Sequence, residues 1–203
     1  MIPFTNDFSV EVTKEMLDIV RSNQPIDSVI IDLYLRYLLQ THVHTDYYVV
    51  TSQLYNSFET YDPNGTFVNL LHSSNPIQNK ESIEKILVPV NFHNNHWILL
   101  EIRKNNKNVN VYDSIKQSTH MYNVFNLFIQ QARNTFFEGN TISVSEYNVQ
   151  RVPQQRDVVN CGLYTLLFTD YLLQNIDIPS RFTDFNSVTI RDHVLEKIMP
   201  QLI

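Results

Sequence analysis

Residues 152–162 read VPQQRDVVNCG and run directly into LYTLLFTDYLLQ, residues 163–174. The second string holds Leu163, Leu166, Leu167, Phe168, Tyr171 and Leu172 with a single charged residue, Asp170. That pattern predicts a helix over Gly162–Gln174, apolar enough to be buried. The first string then reads as a loop that delivers Cys161 to the helix start. The first amides of a helix lack intrahelical partners and carry the positive end of its dipole, so a thiolate is stabilised there. Gly162 lets the backbone approach closely, which suits an amide aimed at a substrate oxygen. A lone cysteine is most often a buried structural residue. The position becomes informative only if a base stands beside it.

The best base is His96, in Asn94-Asn95-His96-Trp97-Ile98 at the start of a predicted strand, Trp97–Arg103. The polar run 104–108 is a turn, and Val109–Asp113 is the returning strand of a hairpin. Positions 96 and 113 are nearly equidistant from that turn, so the hairpin brings them side by side. An imidazole beside a carboxylate is held in one tautomer, and its cation is stabilised. Cys161, His96 and Asp113 thus form a nucleophile–base–orienter set. Singly, His96 and Asp113 are ordinary strand-end residues; their symmetric placement on one hairpin weakens that reading. His93 is a rival base. Gln154 and Gln155 offer side-chain amides to a developing oxyanion, although loop glutamines are usually just solvated.

The remaining pattern is α+β. Val12, Met16, Leu17 and Val20 share one face of a helix over Glu11–Ser22, which ends before Pro25. Asp27 or Ser28 caps a second helix, Ser28–Gln40, apolar nearly all round. Tyr47–Thr51 and Ile86–Asn91 read as strands. Asp62-Pro63-Asn64-Gly65 is a turn, and the polar stretch to Lys80 is irregular. Met121, Val124, Phe125, Phe128, Ala132 and Phe136 recur at helical spacing, and Ile142–Val149 alternates like a strand. Strand, helix and strand in that order imply a crossover at one edge of a mixed sheet. A last helix covers Thr189–Met199.

With 203 residues, the chain fits one domain, residues 1–203. Three glycines are too few for a dinucleotide-binding fingerprint, and a net charge of −6 argues against nonspecific nucleic-acid binding. One cysteine excludes an internal disulfide and a thiolate-rich zinc site. His42, His44 and His72 complete no metal-ligand spacing, so no metal and no cofactor are expected. There is no signal-like start and no apolar run of membrane-spanning length. An intracellular protein, in nucleus or cytoplasm, is expected, or a secreted effector acting in a host cell.

His96-Trp97, Asp113-Ser114, Pro153-Gln154-Gln155 and Cys161-Gly162, in that order, resemble the ubiquitin-like-protein-specific cysteine proteases. These are the SUMO and NEDD8 deconjugating enzymes, related to the adenovirus protease. The spacing from Gln155 to Cys161 is similar to the family's Gln-x5-Cys-Gly pattern. The likeness extends from about Pro25 to the end of the chain. It implies an adenain-type, papain-like α+β fold with a central mixed sheet flanked by helices and the nucleophile at the start of a buried helix. It further implies Cys161 as nucleophile, His96 as base, Asp113 as orienter and Gln155 as oxyanion donor. Trp97 would wall a narrow channel for a Gly-Gly tail, with Pro25 or Ile26 where the family often has a second tryptophan, and Gly162 beside them. The family usually has Asp where this chain has Asn160, and often Asn where it has Asp157.

The implied activity is cleavage after the C-terminal glycine of SUMO, NEDD8 or ubiquitin by a monomeric isopeptidase. Two other readings stand beside it. An acetyltransferase effector on the same scaffold would need a basic coenzyme A site, which this acidic chain lacks. A non-catalytic modifier-binding module would not be expected to keep the whole triad.

Overall fold

The computed structural model describes residues 13–42, 46–61, 80–115, 119–137, 146–180 and 187–198. Helix α1 is Lys14–Arg21 and α2 is Ser28–Thr41. Strand β1 (Tyr47–Val49) is followed by α3 (Gln53–Tyr61), then β2 (Lys85–Phe92), β3 (His96–Arg103) and β4 (Asn108–Tyr112). Helix α4 (Asn126–Phe136), β5 (Glu146–Val149), α5 (Cys161–Leu173) and α6 (Ser187–Ile198) complete the order.

The caps fall where side-chain chemistry puts them. The Thr13 hydroxyl accepts from the Met16 amide at 3.3 Å, and Asp27 Oδ1 accepts from the Ile30 amide at 3.0 Å. Each satisfies one first-turn amide. Helix α1 therefore starts at Lys14, three residues later than its pattern suggested; Glu11 and Val12 lie outside the described residues.

The five strands lie in chain order, β1-β2-β3-β4-β5. The two outer pairs, β1–β2 and β4–β5, are parallel; the inner pairs are antiparallel. The expected edge crossover is present as β4-α4-β5. A matching one, β1-α3-β2, stands at the other edge. Both step across the sheet in the same direction, and crossovers share one hand, so both helices belong on one face. Side chains of α3, of α4 and of the turn before it accordingly share a core: Leu54, Tyr55 and Phe58 with Phe125, Phe128 and Phe136 against Val88, Val90, Ile98 and Leu100. The opposite face holds Trp97 and Leu99 against α2 and α5, through Ile30, Tyr34, Leu163, Leu166 and Phe168. Successive residues of β3 thus alternate between two cores, which is why its sequence is apolar throughout instead of every second residue. The exception is Glu101, fully buried on the α2–α5 face. Its carboxylate accepts from Arg103 Nε at 2.9 Å, Asn110 Nδ2 at 2.7 Å and the Tyr112 hydroxyl at 2.7 Å.

The segment before β5 differs from its expected helix. Residues Thr119–Phe125 form a 3-10 stretch, and the α-helix starts only at Asn126. Three residues per turn put Tyr122 and Phe125 on the buried face. Met121 and Val124 are therefore turned outward, 40% and 53% exposed. Helix α3 is the element that the sequence pattern did not announce. The predicted turn at Asp62–Gly65, the stretch after it, and the first residues of the strand expected from Ile142 lie outside the described residues.

Candidate active site

Strand β3 begins with His96, β4 ends one residue before Asp113, and α5 begins with Cys161. The three side chains converge at one end of the sheet. The β3–β4 register pairs Leu99 with Tyr112. By continuation, Asp113 falls opposite Ile98, and His96 lies two residues further along on a diagonal. A two-residue offset keeps both side chains on the same face. His96 Nε2 lies 2.8 Å from Asp113 Oδ1.

Asp113 is buried, and its carboxylate is fully engaged. Oδ1 also accepts from the Ile115 amide at 2.8 Å, and Oδ2 accepts from the Tyr122 hydroxyl at 2.8 Å. Tyr122 is a site residue that sequence reading missed. An α-helical register for the segment hides it, whereas the 3-10 register aims it inward. Burial of His96 by itself disfavours the imidazolium. The hydrogen bond to Asp113, the influence of the neighbouring Cys161 sulfur and the charge of Asp113 outweigh it, and the pKa is raised to about 9. With Nε2 held by Asp113, Nδ1 is the nitrogen left for the thiol. Cys161 itself is 3% exposed. Its helix has no side-chain cap, because the side chain of Asn160 is engaged elsewhere.

The rival histidine sits elsewhere. His93 is exposed at the tip of the β2–β3 turn, where φ is 52° at His93 and 58° at Asn94. The Asn95 amide closes that turn on the Phe92 carbonyl at 3.2 Å. Two consecutive left-handed residues mark a primed hairpin turn. His42 binds the Asp170 carboxylate at 3.1 Å, next to Tyr34 and His193; His44 and His72 lie outside the described residues. Among the described residues, no group of three or more His, Cys, Asp or Glu side chains is placed to hold a metal ion.

The loop before Cys161 is heavily cross-linked. The Ser114 hydroxyl donates to Gln155 Oε1 at 2.6 Å, Gln155 Nε2 donates to the Asp157 carbonyl at 2.7 Å, and the Gln155 amide donates to the Ser114 carbonyl at 2.9 Å. The side-chain amide is fixed at both ends and keeps one N–H in reserve. Gln154 is exposed, and its Nε2 is shared between the carbonyls of Asp113 at 2.9 Å and Val152 at 3.2 Å.

Trp97 and Ile26 meet directly. The indole Nε1 donates to the Ile26 carbonyl at 3.2 Å, and both residues are buried. A Cβ placed on Gly162 would lie 2.6 Å from Ile26 Cγ1 and 3.1 Å from Trp97 Cδ1. Glycine is therefore required at 162 by contact with these two side chains. Pro25, by contrast, is exposed.

An imidazole bonded to a buried carboxylate, beside a thiol at the start of a buried helix, has the makings of a cysteine hydrolase site. The family described as "Ulp1 protease family, C-terminal catalytic domain" matches residues 24–202, and the chain belongs to that family. It is a Ulp1-type cysteine protease domain. A search of curated protein sequences finds no match. The fold is similar to the yeast Ulp1 protease domain solved in complex with Smt3, the yeast ortholog of SUMO. That similarity has a TM-score of 0.70 at 17% identity, over 98% of this chain and 88% of that one. It is also similar to the Xanthomonas campestris effector XopD bound to ubiquitin, with a TM-score of 0.64 at 18% identity, over 96% of this chain and all of that one. The Ulp1-like SUMO protease domain of Chaetomium thermophilum gives 0.59 at 14% identity, over 93% and 88% of the two chains.

Proposed function

We propose that the protein cleaves after the C-terminal glycine of a ubiquitin-like modifier, SUMO, NEDD8 or ubiquitin, releasing it from a lysine side chain or a precursor tail. The observation that carries this reading is the His96–Asp113 hydrogen bond at the end of the sheet, beside Cys161 at the start of its helix, within a chain of the Ulp1 family. The solved relatives bound to Smt3 and to ubiquitin support the class of substrate.

In the proposed reaction the Cys161 thiolate, paired with the His96 imidazolium, attacks the carbonyl carbon of the modifier's last residue. A carbon–sulfur bond forms, and the carbonyl oxygen becomes an oxyanion, which takes hydrogen bonds from the free N–H of Gln155 and the Cys161 amide. His96 gives its proton from Nδ1 to the leaving amine as the carbon–nitrogen bond breaks. Water, deprotonated by His96, then hydrolyses the thioester and restores the thiol. Asp113 keeps Nε2 occupied throughout, so the proton moves only at Nδ1. Trp97, Ile26 and Gly162 form the narrow floor and wall of the tail channel, with exposed Pro25 at its rim. Residues 1–203 act as one catalytic domain, as a monomer. Its place of action is the cytoplasm or nucleus, in its own cell or, as an effector, in a host.

A panel of SUMO, NEDD8 and ubiquitin carrying C-terminal electrophiles tests this directly. One or more should add its mass to the protein, at Cys161, and Cys161→Ala should remain unmodified while folding normally. No adduct with any of the three, or an adduct that survives Cys161→Ala, would overturn the reading.

A further inference from the structure

Arg191 lies on α6, far along the chain from the residues above, and no sequence pattern drew attention to it. It is 5% exposed. Its guanidinium donates to Asn160 Oδ1 at 2.6 Å, to the Gln24 carbonyl at 2.8 Å, and to the Val20 and Ile19 carbonyls at 3.1 and 3.3 Å. It therefore grips three pieces of backbone and side chain at once: the last turn of α1, the strand of chain leading into Pro25 and Ile26, and the residue before Cys161.

Asn160 passes the connection on. Its Nδ2 donates to Asp157 Oδ2 at 2.8 Å, while Asp157 Oδ1 accepts from the amides of Val159 and Asn160 at 3.0 and 2.9 Å. The Asp157 carbonyl in turn receives Gln155 Nε2. A continuous path of hydrogen bonds therefore runs from Arg191 through Asn160 and Asp157 to the side-chain amide of Gln155.

The charges make the arrangement specific. Among the described residues no carboxylate pairs with Arg191 directly. Burial pulls its pKa below the ordinary value, and the charge of Asp157 acts the other way. Asp157 is thus the counter-charge of Arg191, with a neutral amide between them. Asn160 can do this because it offers an oxygen to the cation and an N–H to the anion. An aspartate at 160 offers only acceptors and would set two carboxylates against each other.

We propose that Arg191, Asn160 and Asp157 are positioning residues: a charge-amide-charge relay that holds the Gln155–Cys161 loop and the Gln24–Ile26 segment in one working geometry. The relay rests on the function proposed above and acts through Gln155 and Cys161 without touching the substrate. Its logic is reciprocal, so exchanging the two middle residues should preserve it. Asp157→Asn combined with Asn160→Asp keeps one carboxylate and one amide and places the carboxylate directly on the guanidinium.

The test compares Asn160→Asp, the double exchange Asp157→Asn/Asn160→Asp, and Arg191→Met, using aminocoumarin amides of SUMO, NEDD8 and ubiquitin and, separately, the rate at which iodoacetamide alkylates Cys161. At a temperature well below every melting point, Asn160→Asp should lower kcat by about tenfold or more with KM within about twofold, and the double exchange should return kcat to within about threefold of the parent. Arg191→Met should follow Asn160→Asp. Alkylation should slow in the single variants and recover in the double exchange. A purely structural role would move melting temperatures and leave kcat alone. An unchanged kcat in Asn160→Asp, or a double exchange no faster than Asn160→Asp, overturns the relay. If Arg191→Met does not fold, the exchange pair, which conserves shape, decides alone. If the parent turns over none of the three amides, the proposed function fails, and the alkylation rates still decide the relay.

Discussion

His96 and Asp113 meet on a diagonal across the β3–β4 pair, two residues out of register, with Nε2 2.8 Å from Oδ1. The offset lets Asp113 lie past the end of the ladder, where Oδ1 also takes the Ile115 amide and Oδ2 the Tyr122 hydroxyl. Three donors orient one carboxylate, which in turn orients the imidazole.

Removing the charge of Asp113 is expected to act through His96. Asp113→Asn should lower kcat by roughly 10²-fold or more, on the scale of triad carboxylate losses. With a His96 pKa of about 9, kcat/KM of the parent should hold through neutral pH and fall as pH rises through that value. In Asp113→Asn the fall should begin at lower pH. Stability carries the same sign. The folded pKa is raised above the unfolded value of about 6.5, so this contribution is complete below that pH and is lost as pH rises through about 9. Melting curves of the parent and His96→Gln across this window check it: the parent's advantage should shrink with rising pH.

Gly162 should not tolerate a methyl group. Gly162→Ala sets its Cβ against buried Ile26 and Trp97, an overpacking that costs about 1–3 kcal/mol. Adding Ile26→Ala should recover part of that loss, because the two sites share one contact. Thermal melts of the three variants read the coupling. On the proposed function, a modifier ending in Ala-Ala should be cleaved far more slowly than one ending in Gly-Gly. A tryptophan fits at exposed Pro25 and not at Ile26, whose side chain is already pressed on Gly162.

The two neighbouring glutamines should separate cleanly. Gln155→Ala should cut kcat by roughly 10²-fold with little change in KM, since the bond it supplies strengthens in the transition state. Gln154→Ala should change kcat much less. Ser114→Ala, which removes the hydroxyl that holds Gln155 Oε1, should fall between them. Steady-state kinetics on one modifier amide ranks all three.

Glu101 offers a check remote from the thiol. Glu101→Ala strands the buried donors of Asn110 and Tyr112, at a cost of about 1–3 kcal/mol. Glu101→Gln keeps the shape, yet its amide brings an N–H to face those donors and should be intermediate. Denaturant midpoints should order the series parent, Gln, Ala.

The hairpin, the buried helix under Cys161 and the crossover at β4–β5 were legible because each has a period or a turn that the backbone must obey. The His96–Asp113 pair followed from hairpin arithmetic, although equidistance from a turn fixes a pair only to within two residues, and Cys161 was marked by its place at the start of an apolar helix. Tyr122 was hidden by a change of helical period that no composition betrays. Arg191 was hidden for another reason: its partners are backbone carbonyls, and a carbonyl has no letter in the sequence. Ile26 was named as one of two interchangeable positions, and its burial and its contacts with Trp97 and Gly162 tell it from exposed Pro25.

The grip of Arg191 on Ile19, Val20 and Gln24 also has a meaning in time. A ribosome delivers these carbonyls first, the thiol later and the guanidinium after both. Until α6 is free to dock, the nascent chain carries a nucleophile, a base and a carboxylate but nothing to gather the loop before Cys161 and the segment before Ile26. On the proposed relay, competence therefore arrives only after residue 191 has emerged and docked, and a polypeptide cut short before it is expected to be inert.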